Sequence, residues 1–285
     1  MKKREKILSN IGKIPSLPPM VHKVLQILEN PDFDIDELTN TIEYDPGLTS
    51  NILRLANSAF FGCQRSITSV KNAFVRLGAN NVFHLIVTSA YAPLAQKAIK
   101  GYNLHPGEFW EHSVAVSIGT DKIAKALNIK PPDYTFTAGL LHDIGKIVLE
   151  SFVEVDASSI IDFALKENTT FDIAEREIFG IDHAEVGAAF LEYWNLPPTI
   201  VEVVRWHHQP EDYPNKTIVI DLTHIADGLV LMSGIGAGLD GLNYRISKEV
   251  VSRLQFNNRI AEAVVSEIIT ELDELRELFH LGVRR

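Results

Sequence analysis

Along most of the chain, apolar residues recur at the three- and four-residue intervals of a helix, and turn signals separate the runs at short distances. An early run follows Pro18-Pro19, with an apolar stripe formed by Met20, Val21, Val24, Leu25 and Leu28. The last run extends from Asn258 to Phe279 and has one apolar face with acidic residues elsewhere, a pattern typical of an amphipathic helix. The periodicity therefore predicts an all-α fold.

Capping residues predict where several of these helices begin and end. Asp34 and Glu37 form a capping box before one helix, and Asp45-Pro46 combines an N-cap with a proline at the first helical position of the next. Gly78 predicts a break between a short helix and a longer one. The β-branched run from Thr217 to Ile220 could form a strand, but a helix continuing through Asp227 is favoured because no second strand is available to pair with it.

Two lobes are predicted from the distribution of polar residues with metal-binding chemistry. Residues 1–101 contain none of the ligands considered below and form an N-terminal helical lobe, with a seam near Lys100-Gly101-Tyr102-Asn103. Residues 102–285 form the second lobe, with helices over Pro106 to Leu127, around His142, and from Val155 to Lys166. The C-terminal amphipathic helix belongs to this second lobe.

Composition limits the class of function. The 285 residues are 46% hydrophobic, which is enough for a substantial core, and the formal net charge of −10 disfavours binding to nucleic-acid phosphates. The single cysteine excludes disulfides within the chain and zinc fingers built on cysteine pairs, so a reducing cytoplasm is expected. The most lipid-like stretch, from Gly228 to Gly238, is too short to span a membrane. We expect neither a nucleic-acid nor a membrane partner.

The pair His142-Asp143 carries the most chemical information, because it places two hard metal ligands side by side in an apolar stretch. A carboxylate in apolar surroundings needs a partner, and a cation is the first to consider. One metal could take both side chains, or Asp143 could bridge two. Lys146 follows at helical spacing on the same surface and is placed to meet an anionic substrate group.

Five further potential ligands lie at helix-length intervals along the chain. His112 is upstream of the pair, and His183, His207, His208 and Asp227 follow it. Taken singly, each has a structural explanation, such as a surface histidine, a helix cap or a histidine at the negative end of a helix. Their combination favours a metal site. Imidazole and carboxylate without thiolate suit Fe, Mn, Co, Ni or Zn better than Ca or Mg.

Two smaller signals allow alternative interpretations. The segment Gly234-Ile235-Gly236-Ala237-Gly238 has the glycine content of a phosphate-binding loop, but no strand precedes it, so a flexible turn is predicted. Phe60-Phe61 beside Gly62 could be an exposed recognition point, although such a pair is more often packed in a core.

The order of the ligands resembles the HD superfamily of metal-dependent phosphohydrolases, and most closely its HD-GYP branch. The N-terminal half resembles the HDOD family through Leu17-Pro18-Pro19, Asp45-Pro46-Gly47-Leu48, the segment from Leu55 to Gly62 and the segment from Ser69 to Gly78. This resemblance, which covers roughly Ile14 to Asp240, identifies the chain as a member of the HDOD family. It implies a two-lobed helical fold.

The resemblance also implies how the ligands are shared between two divalent transition-metal ions, with Fe or Mn expected first and Ni, Co or Zn as alternatives. One ion would be bound by His112, His142, Asp143 and Asp227, and the other by Asp143, His183, His207 and His208. In a catalytic site, Asp143 and Lys146 would be the catalytic residues, with Lys146 steadying a phosphate group.

HDOD proteins are regarded mainly as bacterial signalling and regulatory modules, and many lack the ligands that this sequence keeps. We therefore expect a regulatory module with a dinuclear metal site, a signalling protein as partner, and a phosphate-containing small molecule as a possible ligand. The alternative is a metal-dependent phosphohydrolase acting on a phosphate ester or nucleotide. Cyclic di-GMP is not the expected substrate, because Gln209 to Pro214 replaces the longer glycine-containing loop of the HD-GYP pattern.

Overall fold

The computed structural model describes residues 3–14, 19–28, 30, 33–57, 66–241 and 243–278. The chain is 72% helical, and the described residues include no strand, only an isolated bridge between Ile99 and Leu104. The predicted all-α fold is confirmed. Within the described part of the chain, no helix combines the length and apolarity needed to cross a membrane.

The α-helices are, in chain order, α1 (Lys3–Asn10), α2 (Pro19–Leu28), α3 (Ile35–Glu43), α4 (Pro46–Ala56), α5 (Val70–Ala95), α6 (Glu108–Ala126), α7 (Thr135–Leu141), α8 (Gly145–Lys166), α9 (Phe171–Phe179), α10 (His183–Tyr193), α11 (Pro198–Trp206), α12 (Ile218–Met232), α13 (Lys248–Arg253) and α14 (Asn258–Leu278). They divide into two compact units. The larger unit comprises Met1–Pro15 and Ala95–Thr270, and the smaller comprises Ser16–Leu94 and Glu271–Arg285.

In the smaller unit, the capping signals place the helix starts where the sequence predicts them. The side chain of Asp34 accepts a hydrogen bond from the backbone N–H of Asp36, and α3 begins one residue after the cap. Asp45 Oδ1 accepts from the N–H groups of Gly47 and Leu48 at 2.9 and 3.0 Å, which satisfies donors that have no partner within α4. Gly78, with φ 80° and ψ 166°, interrupts α5 as predicted.

In the larger unit, two groups of packed helices form the core. Helix α6 is buried over most of its length and packs against α7 and α12, while α10 packs against α8 and α11. The run from Thr217 to Ile220 begins α12 and is not a strand, because Thr217 caps the helix and Val219 and Ile220 are buried within it. These packed helices bring the candidate ligands to one place.

One predicted feature of this unit is wrong in detail. His142 and Asp143 do not lie within a helix but in the turn between α7 and α8, and α8 runs unbroken from Gly145 instead of beginning near Val155. The turn is tight because the N–H groups of Ile144 and Lys146 bond three residues back, at 3.0 and 2.9 Å. This geometry lets two adjacent side chains reach the same buried space.

Candidate metal centre

All seven predicted ligands converge within the larger unit, although they come from five separate parts of its helical framework. His112 lies on α6, His183 begins α10, and Asp227 lies on α12. The doublet His207-His208 follows the last turn of α11, and the pair His142-Asp143 precedes α8. Each of these side chains is at most 2% exposed except that of His208, which is half-buried.

Four of the ligands form a first group around one oxygen of Asp143. Asp143 Oδ2 lies 3.4 Å from His112 Nε2 and 3.2 Å from His142 Nε2. Asp227 Oδ1 lies 3.2 Å from His112 Nε2 and 3.6 Å from His142 Nε2. Two imidazoles and two carboxylates therefore surround one small volume, as a four-ligand cation site requires.

A second group surrounds the other oxygen of the same carboxylate. Asp143 Oδ1 lies 3.3 Å from His183 Nε2 and 3.6 Å from His207 Nε2. His208 completes this group, with its Nε2 2.7 Å from that of His183. In each group the potential ligand atoms all lie within 4.8 Å of one another, and Asp143 belongs to both.

Hydrogen bonds behind the histidines orient four of the five rings. The Nδ1 atoms of these rings each lie beside an acceptor oxygen, which is Ile235 O for His112 (3.1 Å), Gly139 O for His142 (2.8 Å), Val204 O for His207 (2.7 Å) and Glu175 Oε2 for His183 (2.7 Å). A carbonyl or carboxylate oxygen only accepts, so each Nδ1 donates and Nε2 is the potential ligand atom that faces the cluster. Metal-binding histidines are held in this way.

Unsatisfied atoms at the centre of the cluster also fit a cation. Asp143 Oδ1, Asp227 Oδ1 and His207 Nε2 are buried and have no hydrogen-bond partner among the described residues. Leaving buried acceptors unpaired costs about 1–3 kcal/mol each, and more for charged groups. A positive ion in each of the two groups would remove that cost. These buried His and Asp groups could therefore hold metal ions.

The electrostatics of the cluster agree with this assignment. Burial would raise the pKa of Asp143, but the neighbouring His142 and Lys146 hold that pKa well below its ordinary value. Burial would lower the pKa of His112, but the neighbouring carboxylates of Asp143 and Asp227 raise it to about 10. Both carboxylates thus stay ionised, and a metal that binds to His112 must displace a proton.

Lys146 reaches the cluster, as the sequence suggests, but its ammonium group is already paired. Lys146 Nζ donates to Asp143 Oδ2 and to Asp240 Oδ2, and it lies 5.6 Å from the centroid of the Tyr102 ring. The residue is 2% exposed. Burial would lower its pKa, but Asp143 and Asp240 raise it above the ordinary value, so the group is a buried cation between two anions.

Sequence reasoning missed several residues that support the ligands. Glu175 accepts hydrogen bonds from the backbone N–H and from Nδ1 of His183, at 2.9 and 2.7 Å, and Tyr102 O–H donates to its other oxygen. His224 Nδ1 donates to the carbonyl of His207 at 2.7 Å, while its Nε2 accepts from Ser247 N at 2.9 Å. These buried contacts fix the backbone and side chains of the ligands.

The glycine-rich segment also has a larger role than a flexible turn. Gly236 (φ 57°) and Gly238 (φ 48°) adopt left-handed conformations, and a Cβ atom on either would lie 2.6 Å from a backbone oxygen of a neighbouring segment. This close approach places Ile235 O against His112 and brings Asp240 to Lys146. The close spacing of Gly234, Gly236 and Gly238 was the available sequence signal, although it does not reveal what the turn contacts.

Comparison with known families agrees with the ligands and the helical framework. The model of the HDOD domain matches residues 14–210, more than half of the chain. The chain belongs to the HDOD family. The resemblance inferred from its sequence motifs is confirmed.

Two solved structures share this fold. An HDOD domain protein of unknown function from Geobacter sulfurreducens is 26% identical, with a TM-score of 0.69 over 97% of this chain and 94% of the other. A Shewanella amazonensis SB2B protein assigned provisionally to the phosphohydrolases is 24% identical, with the same TM-score over 95% and 97% of the two chains. At that identity the likeness shows the fold alone.

A further relative is an uncharacterized protein of Treponema pallidum (strain Nichols), 26% identical over 213 residues. The match covers 73% of this chain but 40% of that protein. The HDOD chain therefore spans about two fifths of the length of the curated relative that it matches.

Proposed function

We propose that this chain is a bacterial regulatory HDOD module whose larger unit holds two divalent transition-metal ions. The observation that carries the proposal is the shared position of Asp143, whose two oxygens face two separate groups of ligands. His112, His142 and Asp227 would complete one site, and His183, His207 and His208 the other. Nitrogen and oxygen donors without thiolate favour Fe or Mn, with Ni, Co or Zn as alternatives.

The closed surroundings of the cluster favour a regulatory role over turnover. Structural metal sites are saturated by protein ligands, whereas catalytic sites keep a position open to substrate. Here six of the seven ligands are at most 2% exposed, and Lys146 is paired with two carboxylates. We infer that the ions stabilise the larger unit or report the binding of a phosphate-containing small molecule.

A signalling protein is the proposed partner. In the smaller unit, Tyr44 and Val75 are 83% and 71% exposed, and large apolar side chains on a surface suit protein contacts. A pull-down should retain the partner with Asp143→Ala and lose it with Phe61→Ser, provided that circular dichroism shows the second variant folded. Phe61 and its neighbour Phe60 lie outside the described residues.

A metal-dependent phosphohydrolase acting on a phosphate ester or nucleotide is the second candidate. The complete ligand set, the retained Lys146 and the fold shared with a provisional phosphohydrolase support it. Two ions at such a site supply Lewis acidity and activate water for attack on phosphorus. His208, the half-buried ligand, marks the side of the cluster nearest to solvent.

Elemental analysis followed by an activity panel tests the two candidates. Protein purified without a metal-affinity tag should contain about two transition-metal ions per chain. Phosphodiesters, nucleotides and cyclic di-GMP should then be assayed with the wild type, Asp143→Ala and the exposed control Asp162→Asn. Metal without turnover supports the module, whereas turnover that Asp143→Ala abolishes and Asp162→Asn retains supports the enzyme. A metal-free wild type contradicts both.

A further inference from the structure

Lys146 is the lysine that touches the ligand cluster, and it is only 2% exposed. Its ammonium group contacts the carboxylates of Asp143 and Asp240, and the Tyr102 ring lies 5.6 Å away. An ammonium group has three N–H donors, and a pair of carboxylates already satisfies most of its charge. Because Lys146 is 2% exposed and already paired with two carboxylates, we expect an anionic ligand to reach it by replacing one of them.

Of the two carboxylates, Asp143 is the one that an incoming anion would displace from Lys146 less easily. Its second oxygen faces His183 and His207, so both of its oxygens are committed to the cluster. The residue is 1% exposed and lies in the tight turn between α7 and α8. Displacing it would disrupt both groups of ligands at once.

Asp240 differs from Asp143 on each of these points. Only its Oδ2 contacts Lys146, and its Oδ1 is buried without a hydrogen-bond partner in the described structure. Asp240 is 7% exposed, and it is not a member of either ligand group. Neighbouring backbone atoms hold the segment in place, since Leu239 N donates to Tyr102 O and Gly241 N to Ala237 O, both at 2.9 Å.

We propose that Asp240 is an internal competitor that occupies Lys146 and keeps phosphate and phosphate-bearing ligands away from it. This inference rests on the proposed metal centre, because the ions and Lys146 together would form the anion-binding surface. The carboxylate of Asp240 presents oxygen acceptors to an ammonium group, as a phosphate does, so the two anions compete for the same cation. The glycine-rich segment, which brings Asp240 to Lys146, therefore controls which anionic molecules the metal centre can bind.

The test measures binding of inorganic phosphate to the metal-loaded full chain by isothermal titration calorimetry. Asp240→Asn should lower the Kd for phosphate by at least about tenfold, because it removes a charge in direct contact with Lys146. The exposed control Asp162→Asn makes the same chemical change on α8 and should leave the Kd unchanged. Metal content is measured for every variant.

A double-variant cycle identifies the mechanism. In a Lys146→Gln background, Asp240→Asn should give no gain, since the cation over which the two anions compete is gone. An equal gain in both backgrounds would contradict the proposal and indicate only a general loss of negative charge.

Three other outcomes would contradict either this inference or the proposed function on which it rests. Unchanged or weaker phosphate binding by a metal-loaded Asp240→Asn variant overturns this inference while leaving the proposed metal centre intact. Loss of metal from Asp240→Asn overturns it as well, because a competitor for Lys146 has no part in holding the ions. A wild type without metal contradicts the proposed function itself.

Discussion

Asp143 is the residue on which both groups of ligands depend, because one oxygen lies near His112 and His142 and the other near His183 and His207. Asp143→Ala should therefore remove both ions. His112→Ala should weaken one site more than the other, since His112 belongs to one group only. Metal-to-protein ratios measured during titration with a chelator would show the difference.

The control for this pair is Asp162→Asn, whose side chain is exposed on α8 and should leave both ions bound. Equal and small losses from Asp143→Ala and His112→Ala would show that Asp143 does not bridge two ions.

Glu175 acts on the cluster through His183, whose ring and backbone N–H it holds at 2.7 and 2.9 Å. Glu175→Gln should weaken metal binding by about 10–100-fold, as is usual when the partner behind a histidine ligand is changed. The loss should fall on the ion held by His183, and the ion near His112 should be retained. Stepwise competition with a chromophoric chelator would resolve the two sites.

Glu177→Gln is a matched control, because Glu177 lies on the same helix and is exposed. Similar losses from both glutamate variants would mean that the effect comes from the charge of α9 and not from the hydrogen bonds to His183.

The seven candidate ligands could be picked out from the sequence because their chemical types are rare in apolar helices and their order along the chain resembles that of a known family. Their supporting partners were not. Tyr102 and Glu175 meet across 73 positions of the chain, and Lys146 and Asp240 across 94. No local pattern encodes such a contact, since it depends on how α8, α9 and the segment after α12 pack together.

Gly145 shows how an element boundary determines the geometry of the site. A Cβ atom at this position would lie 1.9 Å from His183 O and 2.6 Å from Gly187 N, so α8 and α10 approach backbone to backbone. Gly145→Ala should destabilise the protein by about 3 kcal/mol or more and displace His183. Urea denaturation followed by circular dichroism would measure the free energy of unfolding.

Gly12→Ala provides the comparison, because a Cβ atom there meets nothing within 4 Å. It should change stability by no more than about 0.5 kcal/mol. If the two alanine variants proved equally stable, the close packing of α8 on α10 would be refuted.

Helix starts were well predicted at the scale of elements, since Asp34 and Asp45 cap their helices through local bonds that the sequence itself specifies. The turn at His142-Asp143 was not predicted. His142 and Ile144 keep helical dihedral angles, and the apolar neighbours continue the helical pattern, so the spacing of apolar residues does not reveal the turn.

At the scale of the whole molecule, the ligand cluster lies inside one compact unit while the strongest HDOD motifs of the N-terminal half lie in the other. The sequence predicted two lobes from this same uneven distribution of ligands. The inclusion of α1 in the larger unit could not be foreseen, because the contacts of Lys3 with Asp156 and Arg4 with Glu185 join residues more than 150 positions apart.

Removal of the ions should therefore destabilise the larger unit more than the smaller one. A ligand present at a hundred times its Kd adds about 2.7 kcal/mol to stability, and this contribution disappears when a chelator withdraws the ion. Hydrogen exchange followed by mass spectrometry should then show faster exchange in α6, α8, α10 and α12, with little change in α3 and α4. Restoring the metal should restore protection, because the ligands remain chemically intact. Equal acceleration throughout the chain, or none, would show that the ions do not stabilise the larger unit in particular.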